Sequence, residues 1–323
     1  MQRSAPGTGA ALSGSNAGGA TADPAIAQSA TVAAPQTGAG PARLAFVLAG
    51  GGSLGAVQAG MLAELIANDL RPDLVVGVSA GALNGAFLAH DPSSATIERM
   101  VALWTGVRTR DVLGLSFGSL LALVGLRSHF AHARGVRQLL ERELPYRQIE
   151  AARVPLHLVA AEQHTGVEVL LSRGDLIEAV LASTAIPGVF PPVAIGGRTL
   201  VDGVVATGTP ISTAVRLGAT RLIIVPCGFT CVGRAIPRHP IGRAMHAFAL
   251  LGARQLRTDF ENYGARAELH LVPPLCPMAQ SPYDYSQGAA LIAAARTATR
   301  RWLDRGGLES AEFPPEFLPH THP

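Results

Sequence analysis

Ser79 stands between two glycines, Gly77 and Gly81, in the pattern Gly-x-Ser-x-Gly. An apolar run precedes this pattern and an Ala- and Leu-rich segment follows it, so the serine lies where a strand passes into a helix. Glycines at these two positions leave no neighbouring Cβ to shield the hydroxyl. The helix N-terminus adds N–H groups and a positive dipole end, which stabilise an oxygen that becomes negative. The pattern predicts a serine nucleophile, although a structural turn of small residues has the same pattern.

A glycine-rich loop lies upstream of this serine. Gly50, Gly52 and Gly55 match G-x-G-x-x-G, after one predicted strand and before a helix. The same spacing is the dinucleotide-binding fingerprint, in which an acidic residue at the end of the second strand holds a ribose. Here the second strand ends at Ser79 instead, and its only carboxylate lies at its start. The alternative is that the N–H groups of Gly50, Gly51 and Gly52 form an oxyanion hole.

A serine nucleophile needs a base, and Asp202 is the best candidate. It ends a short apolar strand and is followed by Gly203, although an Asp-Gly pair is also typical of a hairpin turn. An unperturbed aspartate, with a pKa of about 3.9, is a weak base near neutrality. The site must therefore be partly desolvated. A conventional Ser-His-Asp site would instead require His239, His246 or His270.

The elements around these residues must bring them together. The order strand, glycine loop, helix, strand, serine turn, helix predicts an α/β protein with a mostly parallel sheet. Because parallel neighbouring strands end at the same edge of a sheet, the glycine loop and the serine turn should lie side by side. Later strands are predicted over residues 155–162, 167–172, 221–226 and 268–272, and later helices over residues 175–182, 243–260 and 284–304.

Composition limits the classes of function. The chain has 323 residues, of which 48% are hydrophobic, so it can bury a sizeable core. All 26 basic residues are scattered arginines and the net charge is only +3, which argues against a nucleic-acid partner. The three cysteines, at positions 227, 231 and 276, lack zinc-site spacing. They fit a reducing, cytoplasmic compartment.

The chain divides into one predicted domain and two flanking segments. Residues 1–42 are rich in Ala, Gly and Ser and cannot bury enough apolar surface to offset their ordering entropy, so we predict disorder. They lack the charged and apolar regions of a secretory signal. The folded domain is predicted over residues 43–308, and residues 309–323 form a Pro-rich tail. No run is long enough to span a bilayer, the nearest being the apolar stretch at 112–126.

Four linked patterns resemble the patatin-like phospholipase family: the glycine loop, the serine turn, the stretch at 182–193 and the pair Asp202-Gly203. The resemblance covers residues 43–303. It implies a three-layer α/β/α fold with a mostly parallel central sheet. It also implies a Ser–Asp dyad without histidine, in which Ser79 is the nucleophile, Asp202 the base and residues 50–52 the oxyanion hole. No cofactor and no metal ion are expected.

The resemblance further implies hydrolysis of fatty-acyl esters through an acyl-enzyme, in the manner of a phospholipase A, lysophospholipase or esterase. The expected partner is a lipid or acyl-ester substrate, with peripheral contact to a membrane, and the oligomeric state stays open. Two alternatives remain, a catalytically silent lipid-binding protein and a dinucleotide-binding oxidoreductase. Two residues depart from the family pattern: Leu54, where Arg or Lys is common, and Val204, where Gly or Ala is usual. We expect Val204 to tighten the site.

Overall fold

The computed structural model describes residues 43–113, 133–228, 240–278 and 280–318. Within these ranges, eight strands form one sheet: β1 (Leu44–Leu48), β2 (Leu74–Val78), β3 (Leu156–Glu162), β4 (Glu168–Leu171), β5 (Val193–Ile195), β6 (Arg198–Asp202), β7 (Arg221–Val225) and β8 (Glu268–Leu271). They follow the order β5-β6-β3-β2-β1-β7-β8, with β4 also paired to β3. The central and C-terminal strands are parallel, whereas β4, β5 and β6 pair antiparallel.

The central strands are apolar along their length because both faces of the sheet are covered. All of β2 is buried, and only the first residue of β1 is partly accessible. Along β1, Phe46 and Leu48 pack into the core on one face, whereas Ala45 and Val47 pack into the core on the other. Strands with this continuous apolar character are typical of parallel sheets between two helical layers.

Helices cover both faces of the sheet. In the part of the chain that the structure describes, they are α1 (Gly55–Ala67), α2 (Ala80–His90), α3 (Ser94–Gly106), α4 (Thr109–Leu113), α5 (Arg134–Glu143), α6 (Leu176–Ser183), α7 (Ile211–Arg216), α8 (Pro240–Tyr263) and α9 (Gly288–Asp304). Helices α1, α2, α3, α6 and α9 contribute to the larger core, and α7 and α8 to the core on the opposite face. The predicted three-layer α/β/α fold is thus confirmed. None of the described helices is long and apolar enough to cross a membrane.

The placement of β6 brings its last residue to the end of β2. Strand β2 runs parallel to the first part of β3, and its last residue, Val78, lies opposite Val159. Strand β4 pairs with the opposite edge of β3. Strand β6 therefore pairs with the same edge as β2, just beyond the end of β2, and places Asp202 opposite Ala160. Because Ser79 follows Val78 directly, the sheet places Ser79 and Asp202 side by side.

Several elements differ from the sequence prediction. Strands β3 and β4 and helix α6 lie close to their predicted ranges, and the structure shows that β3 and β4 pair antiparallel. Helices α3, α4, α5 and α7 were not predicted. Of the residues of α5, only Leu140 is fully buried, and the partly exposed Val136 and Leu139 pack beside it against the core. In the predicted tail, the Phe313 ring lies 5.2 Å from the Phe260 ring of α8, between centroids. Residues 1–42, most of the apolar stretch at 112–126 and residues 319–323 lie outside the described residues.

Candidate active site

Ser79 lies in a sharp turn between β2 and α2. Its backbone adopts φ 55° and ψ −123°, a conformation that costs a non-glycine residue about 1–3 kcal/mol. Gly77 and Gly81 permit this turn, because a Cβ on Gly77 would collide with the Gly81 carbonyl and one on Gly81 with the Leu48 carbonyl. The Ser79 N–H donates to Ser183 Oγ at 2.9 Å. The turn predicted from the Gly-x-Ser-x-Gly pattern is therefore present, with Ser79 in it.

Asp202 ends β6 and is completely buried. Its Oδ2 accepts a hydrogen bond from the Ser79 hydroxyl at 2.7 Å. Its Oδ1 accepts one from the Val204 N–H at 2.9 Å. Gly203 is packed so closely against β3 that a Cβ would collide with the Val159 carbonyl. The structure thus joins the predicted nucleophile and the predicted base directly.

The surroundings of Asp202 favour its neutral form. Burial raises the pKa of the Asp202 carboxyl from 3.8 to about 7, although the Val204 amide and the Ser79 hydroxyl act to lower it. Burial and the nearby Asp202 carboxylate raise the pKa of Tyr283 to about 12, so this phenol is neutral at physiological pH. A carboxyl with a pKa near 7 and a hydroxyl within hydrogen-bond reach has the properties of a general base near neutrality.

The glycine loop follows β1 and lies against the serine turn. The Gly50 N–H donates to the Gly208 carbonyl at 3.0 Å, so this predicted oxyanion donor is already occupied. Among the described residues, none accepts a hydrogen bond from the N–H of Gly51 or Gly52. A Cβ built on Gly50 would come within 3.2 Å of Ser79 Cβ, which shows how closely the loop approaches the serine. Two of the three predicted amides thus have no acceptor among the described residues.

A buried amide network that the sequence analysis missed holds both ends of this loop. Gln58 Nε2 donates to the Ala49 carbonyl at 2.9 Å and to a carbonyl of β7 at 2.8 Å. Asn84 Nδ2 donates to Gln58 Oε1 and to the Gly55 carbonyl, and Asn84 Oδ1 accepts from Trp104 Nε1. Neither amide side chain is exposed, and every amide hydrogen has an acceptor. The only sequence signal was a pair of amides inside apolar helices, which needs the fold to be interpreted.

A cavity of about 310 Å³ opens beside Ser79 and Asp202. Its floor includes the glycine loop, and most of its walls are apolar. The lining side chains include Leu54, Ile186, Val204, Val205, Pro226, Leu251, Leu256, Pro282, Tyr283 and Phe317. A concave, mostly apolar space with a few polar groups at one end suits a ligand with an apolar chain. A larger cavity, of about 840 Å³, is lined by α9 and the C-terminal segment and includes neither Ser79 nor Asp202.

No histidine in the described ranges lines the cavity that contains Ser79. His270 lies on β8, where Nε2 contacts Glu268 at 2.7 Å and Nδ1 lies 3.2 Å from the Ser310 carbonyl. His246 lies on α8 outside the cavity lining, and His239 lies outside the described residues. Asp202 occupies the position beside the serine hydroxyl that a histidine base would need.

Comparison with known families decides the class of protein. A family model described as patatin-like phospholipase matches residues 46–215, which is more than half of the chain. The chain belongs to the patatin-like phospholipase family. The matched range contains the glycine loop, Ser79 and Asp202. The glycine-rich loop is therefore a feature of a patatin-like protein, and the dinucleotide-binding alternative is not supported.

Curated relatives match a little over half of the chain. Patatin-like phospholipase domain-containing protein 7 of Rattus norvegicus is 29% identical over 192 residues, which are 57% of this chain and 14% of that protein. The uncharacterized protein YjjU of Escherichia coli strain K12 is 29% identical over 195 residues, 57% of this chain and 52% of that protein. The neuropathy target esterase sws of Drosophila melanogaster is 26% identical over 187 residues, which are 57% of this chain and 13% of that protein. The chain thus spans about half of YjjU and a small part of the others.

Two solved structures align with most of the chain. VipD from Legionella pneumophila aligns with a TM-score of 0.39 and 14% identity, over 82% of this chain and 67% of that one. Human GIVD cytosolic phospholipase A2, in complex with methyl γ-linolenyl fluorophosphonate, aligns with a TM-score of 0.40 and 12% identity. The alignment covers 83% of this chain and 59% of that chain.

The two departures from the patatin-like pattern both lie in the cavity wall. Leu54 is 6% exposed and lines the cavity, so the glycine loop contributes an apolar side chain to the wall at this position. Val204 follows the Asp202-Gly203 pair, and its Cγ1 lies 2.6 Å from the place where a Cβ on Gly50 would be. The valine therefore fills the space between the aspartate turn and the glycine loop.

Proposed function

We propose that this chain is a serine acyl hydrolase that cleaves fatty-acyl esters of lipids, in the manner of a phospholipase A, lysophospholipase or esterase. The observation that carries the proposal is the 2.7 Å hydrogen bond between Ser79 Oγ and the buried Asp202 Oδ2, in the wall of an apolar cavity. Membership of the patatin-like phospholipase family supports the same class of reaction.

In the first step of the proposed reaction, Asp202 accepts the hydroxyl proton as Ser79 Oγ attacks the ester carbonyl carbon. The carbonyl oxygen becomes negative, and the N–H groups of Gly51 and Gly52 donate to it. The N-terminal dipole of α2 stabilises the same charge. When the tetrahedral intermediate collapses, the alcohol leaves with the proton from Asp202, and the acyl group stays on Ser79.

In the second step, water attacks the acyl carbonyl carbon while Asp202, again ionised, accepts a proton from it. The same amides stabilise the second tetrahedral intermediate. Its collapse breaks the bond to Ser79 Oγ, which takes the proton back from Asp202 as the fatty acid leaves. The apolar walls keep bulk water away from the carboxylate, which preserves its basicity.

The pH dependence of the reaction follows from the pKa of Asp202. Because only the ionised carboxylate can accept a proton, and burial raises its pKa to about 7, we expect kcat/KM to rise with pH and level off above about 7. Below that value the rate should fall roughly tenfold per pH unit. The measurement is fatty-acid release at pH 5 to 9, quantified by chromatography. A rate that stays constant from pH 5 to 8 would contradict this assignment of the base.

The proposal includes peripheral contact with a lipid surface. Leu251 and Val205 line the cavity, yet they are 62% and 41% exposed, and the adjacent Leu250 is 50% exposed. Leu250→Asp should weaken binding to phosphatidylcholine vesicles by roughly tenfold, because one leucine side chain contributes about 1.5–3 kcal/mol when buried. Vesicle co-sedimentation measures this. The matched control, Ala102→Asp, adds the same charge at an exposed site on α3, and equal binding by both variants would rule out contact through Leu250.

A hydrolysis panel tests the proposed function as a whole. The purified protein is incubated with phospholipids, lysophospholipids and simple acyl esters, and free fatty acid is measured. We expect release from at least one class without any added cofactor. A protein that binds these lipids but releases no fatty acid from any of them would instead be a lipid-binding member of the family without hydrolase activity.

A further inference from the structure

The end of α6 hydrogen-bonds to the backbones of both Ser79 and Asp202. The Ser79 N–H donates to Ser183 Oγ at 2.9 Å, and the Asp202 N–H donates to the Ala185 carbonyl at 2.9 Å. Ser183 and Ala185 lie within one turn of the chain. A short segment, to which the sequence analysis gave no catalytic role, therefore holds the two residues at a fixed separation.

The Ser183 hydroxyl has a fixed orientation in which it accepts the hydrogen bond from the Ser79 N–H. Its own proton is donated to the Val159 carbonyl at 2.6 Å, so its lone pairs are left for the Ser79 N–H. Val159 lies opposite the last residue of β2, so the contact ties the serine turn to the neighbouring strand. Ser183 is 0% exposed, and bulk water cannot replace its hydroxyl without a change in packing.

The serine turn needs such a contact because its backbone is strained. A residue with φ 55° and ψ −123° persists only where its surroundings over-determine it. Without Ser183 Oγ, the buried Ser79 N–H loses the acceptor that the structure provides, and an unpaired buried donor favours a relaxed backbone. Rotation of the backbone would move Ser79 Oγ away from Asp202 Oδ2, to which it now donates at 2.7 Å.

We propose that Ser183 is a positioning residue for ester hydrolysis: its hydroxyl holds the Ser79 backbone so that Ser79 Oγ stays within hydrogen-bond reach of Asp202. This inference rests on the proposed function. It predicts a selective effect on kcat, because the Ser183 side chain does not line the cavity and takes no part in binding substrate. A displacement of about 1 Å at a nucleophile can cost roughly a hundredfold in rate.

The test compares Ser183→Thr with Ser183→Val, two side chains of the same shape that differ in the hydroxyl. Any steric cost of the added carbon is common to both, so their difference reports the hydroxyl alone. We expect kcat of the valine variant to lie roughly 10- to 100-fold below that of the threonine variant, with KM values within about twofold. Thr184→Val is the control, since the Thr184 hydroxyl bonds only to α6 carbonyls. It should keep the wild-type kcat.

The outcomes separate this inference from the proposed function. If the wild type hydrolyses no ester and reacts with no organophosphonate, the proposed function fails. If the wild type is active but the valine and threonine variants have equal kcat, Ser183 does not position the nucleophile. Should neither branched side chain fit, as judged by circular dichroism and thermal melting, Ser183→Ala is compared with Thr184→Val. An alanine variant as active as that control would also overturn the inference.

Discussion

Ser79→Ala should lower ester hydrolysis by roughly ten-thousandfold or more, which is the scale on which loss of a serine nucleophile acts. The variant keeps the amides of Gly51 and Gly52, so it can still bind a carbonyl oxygen, but it has no atom that can form an acyl-enzyme. Covalent labelling by an organophosphonate probe should disappear together with turnover. Both readouts are taken on the same preparation, with circular dichroism to show that the fold is intact.

A matched control for this result is Ser93→Ala. Ser93 accepts a hydrogen bond from the Thr96 N–H at the start of α3, so its loss should cost about 1 kcal/mol of stability. It should change neither turnover nor labelling. Hydrolysis that persists in Ser79→Ala at more than about one per cent of the wild-type rate would exclude this serine as the nucleophile.

Asp202→Asn should lower turnover by roughly a thousandfold, within the range by which general bases contribute. An asparagine can still accept from the Val204 N–H through Oδ1. Its Nδ2 would face Ser79 Oγ, however. A neutral amide NH2 group donates hydrogen bonds and cannot accept the hydroxyl proton. The measurement is kcat on the acyl ester that the wild type cleaves best. A variant that retains most of its turnover would show that another group is the base.

The same substitution should change how stability depends on pH. The folded wild type has a raised Asp202 pKa, so it binds more protons than the unfolded chain from about pH 4 to about pH 7, and its stability falls as pH rises through this window. With a pKa near 7 in the fold and 3.8 as reference, the loss between pH 5 and pH 8 is on the order of 3 kcal/mol.

Urea unfolding at pH 5 and pH 8 tests this prediction. Asp202→Asn carries no titrating carboxyl at this position, so its free energy of unfolding should lack this part of the pH dependence. Relative to the wild type, the variant should be more stable at pH 8 than at pH 5. The control, Asp69→Asn, removes a carboxylate whose side chain is 96% exposed and should retain the wild-type dependence. Equal pH dependence in wild type and Asp202→Asn would mean that the buried carboxyl does not titrate as described.

The sequence was sufficient to predict every strand of the sheet except β5, together with the glycine loop and the serine turn, because their signals are local. Gly77 and Gly81 are needed within a few residues of Ser79, and the short continuous apolar run of β2 is typical of a strand buried on both faces. The helices α1 and α2 follow directly from the turns that precede them. For Asp202, the Asp-Gly dipeptide alone favoured a hairpin turn, and the family resemblance supplied the predicted role.

The remaining features depend on contacts between distant parts of the chain. Ser183 contacts Ser79 across 104 positions in the sequence, and Gln58 reaches a β7 carbonyl across 167 positions. No spacing rule predicts such pairs. The Gly50 amide was predicted as an oxyanion donor because it belongs to the glycine loop, yet its partner, the Gly208 carbonyl, comes from a different segment. Tertiary packing therefore decides that the Gly50 N–H is already paired.

The succession of β2 and β6 along one edge of β3 has a consequence for biosynthesis. Ser79 and Asp202 are 123 positions apart in the chain, and the aspartate lies on a strand that pairs with β3 and β5. A nascent polypeptide on the ribosome therefore carries its hydroxyl long before its carboxylate. On the proposed mechanism, no ester is hydrolysed before β6 has paired with β3 and brought Asp202 to Ser79, so activity reports that this long-range pairing has formed.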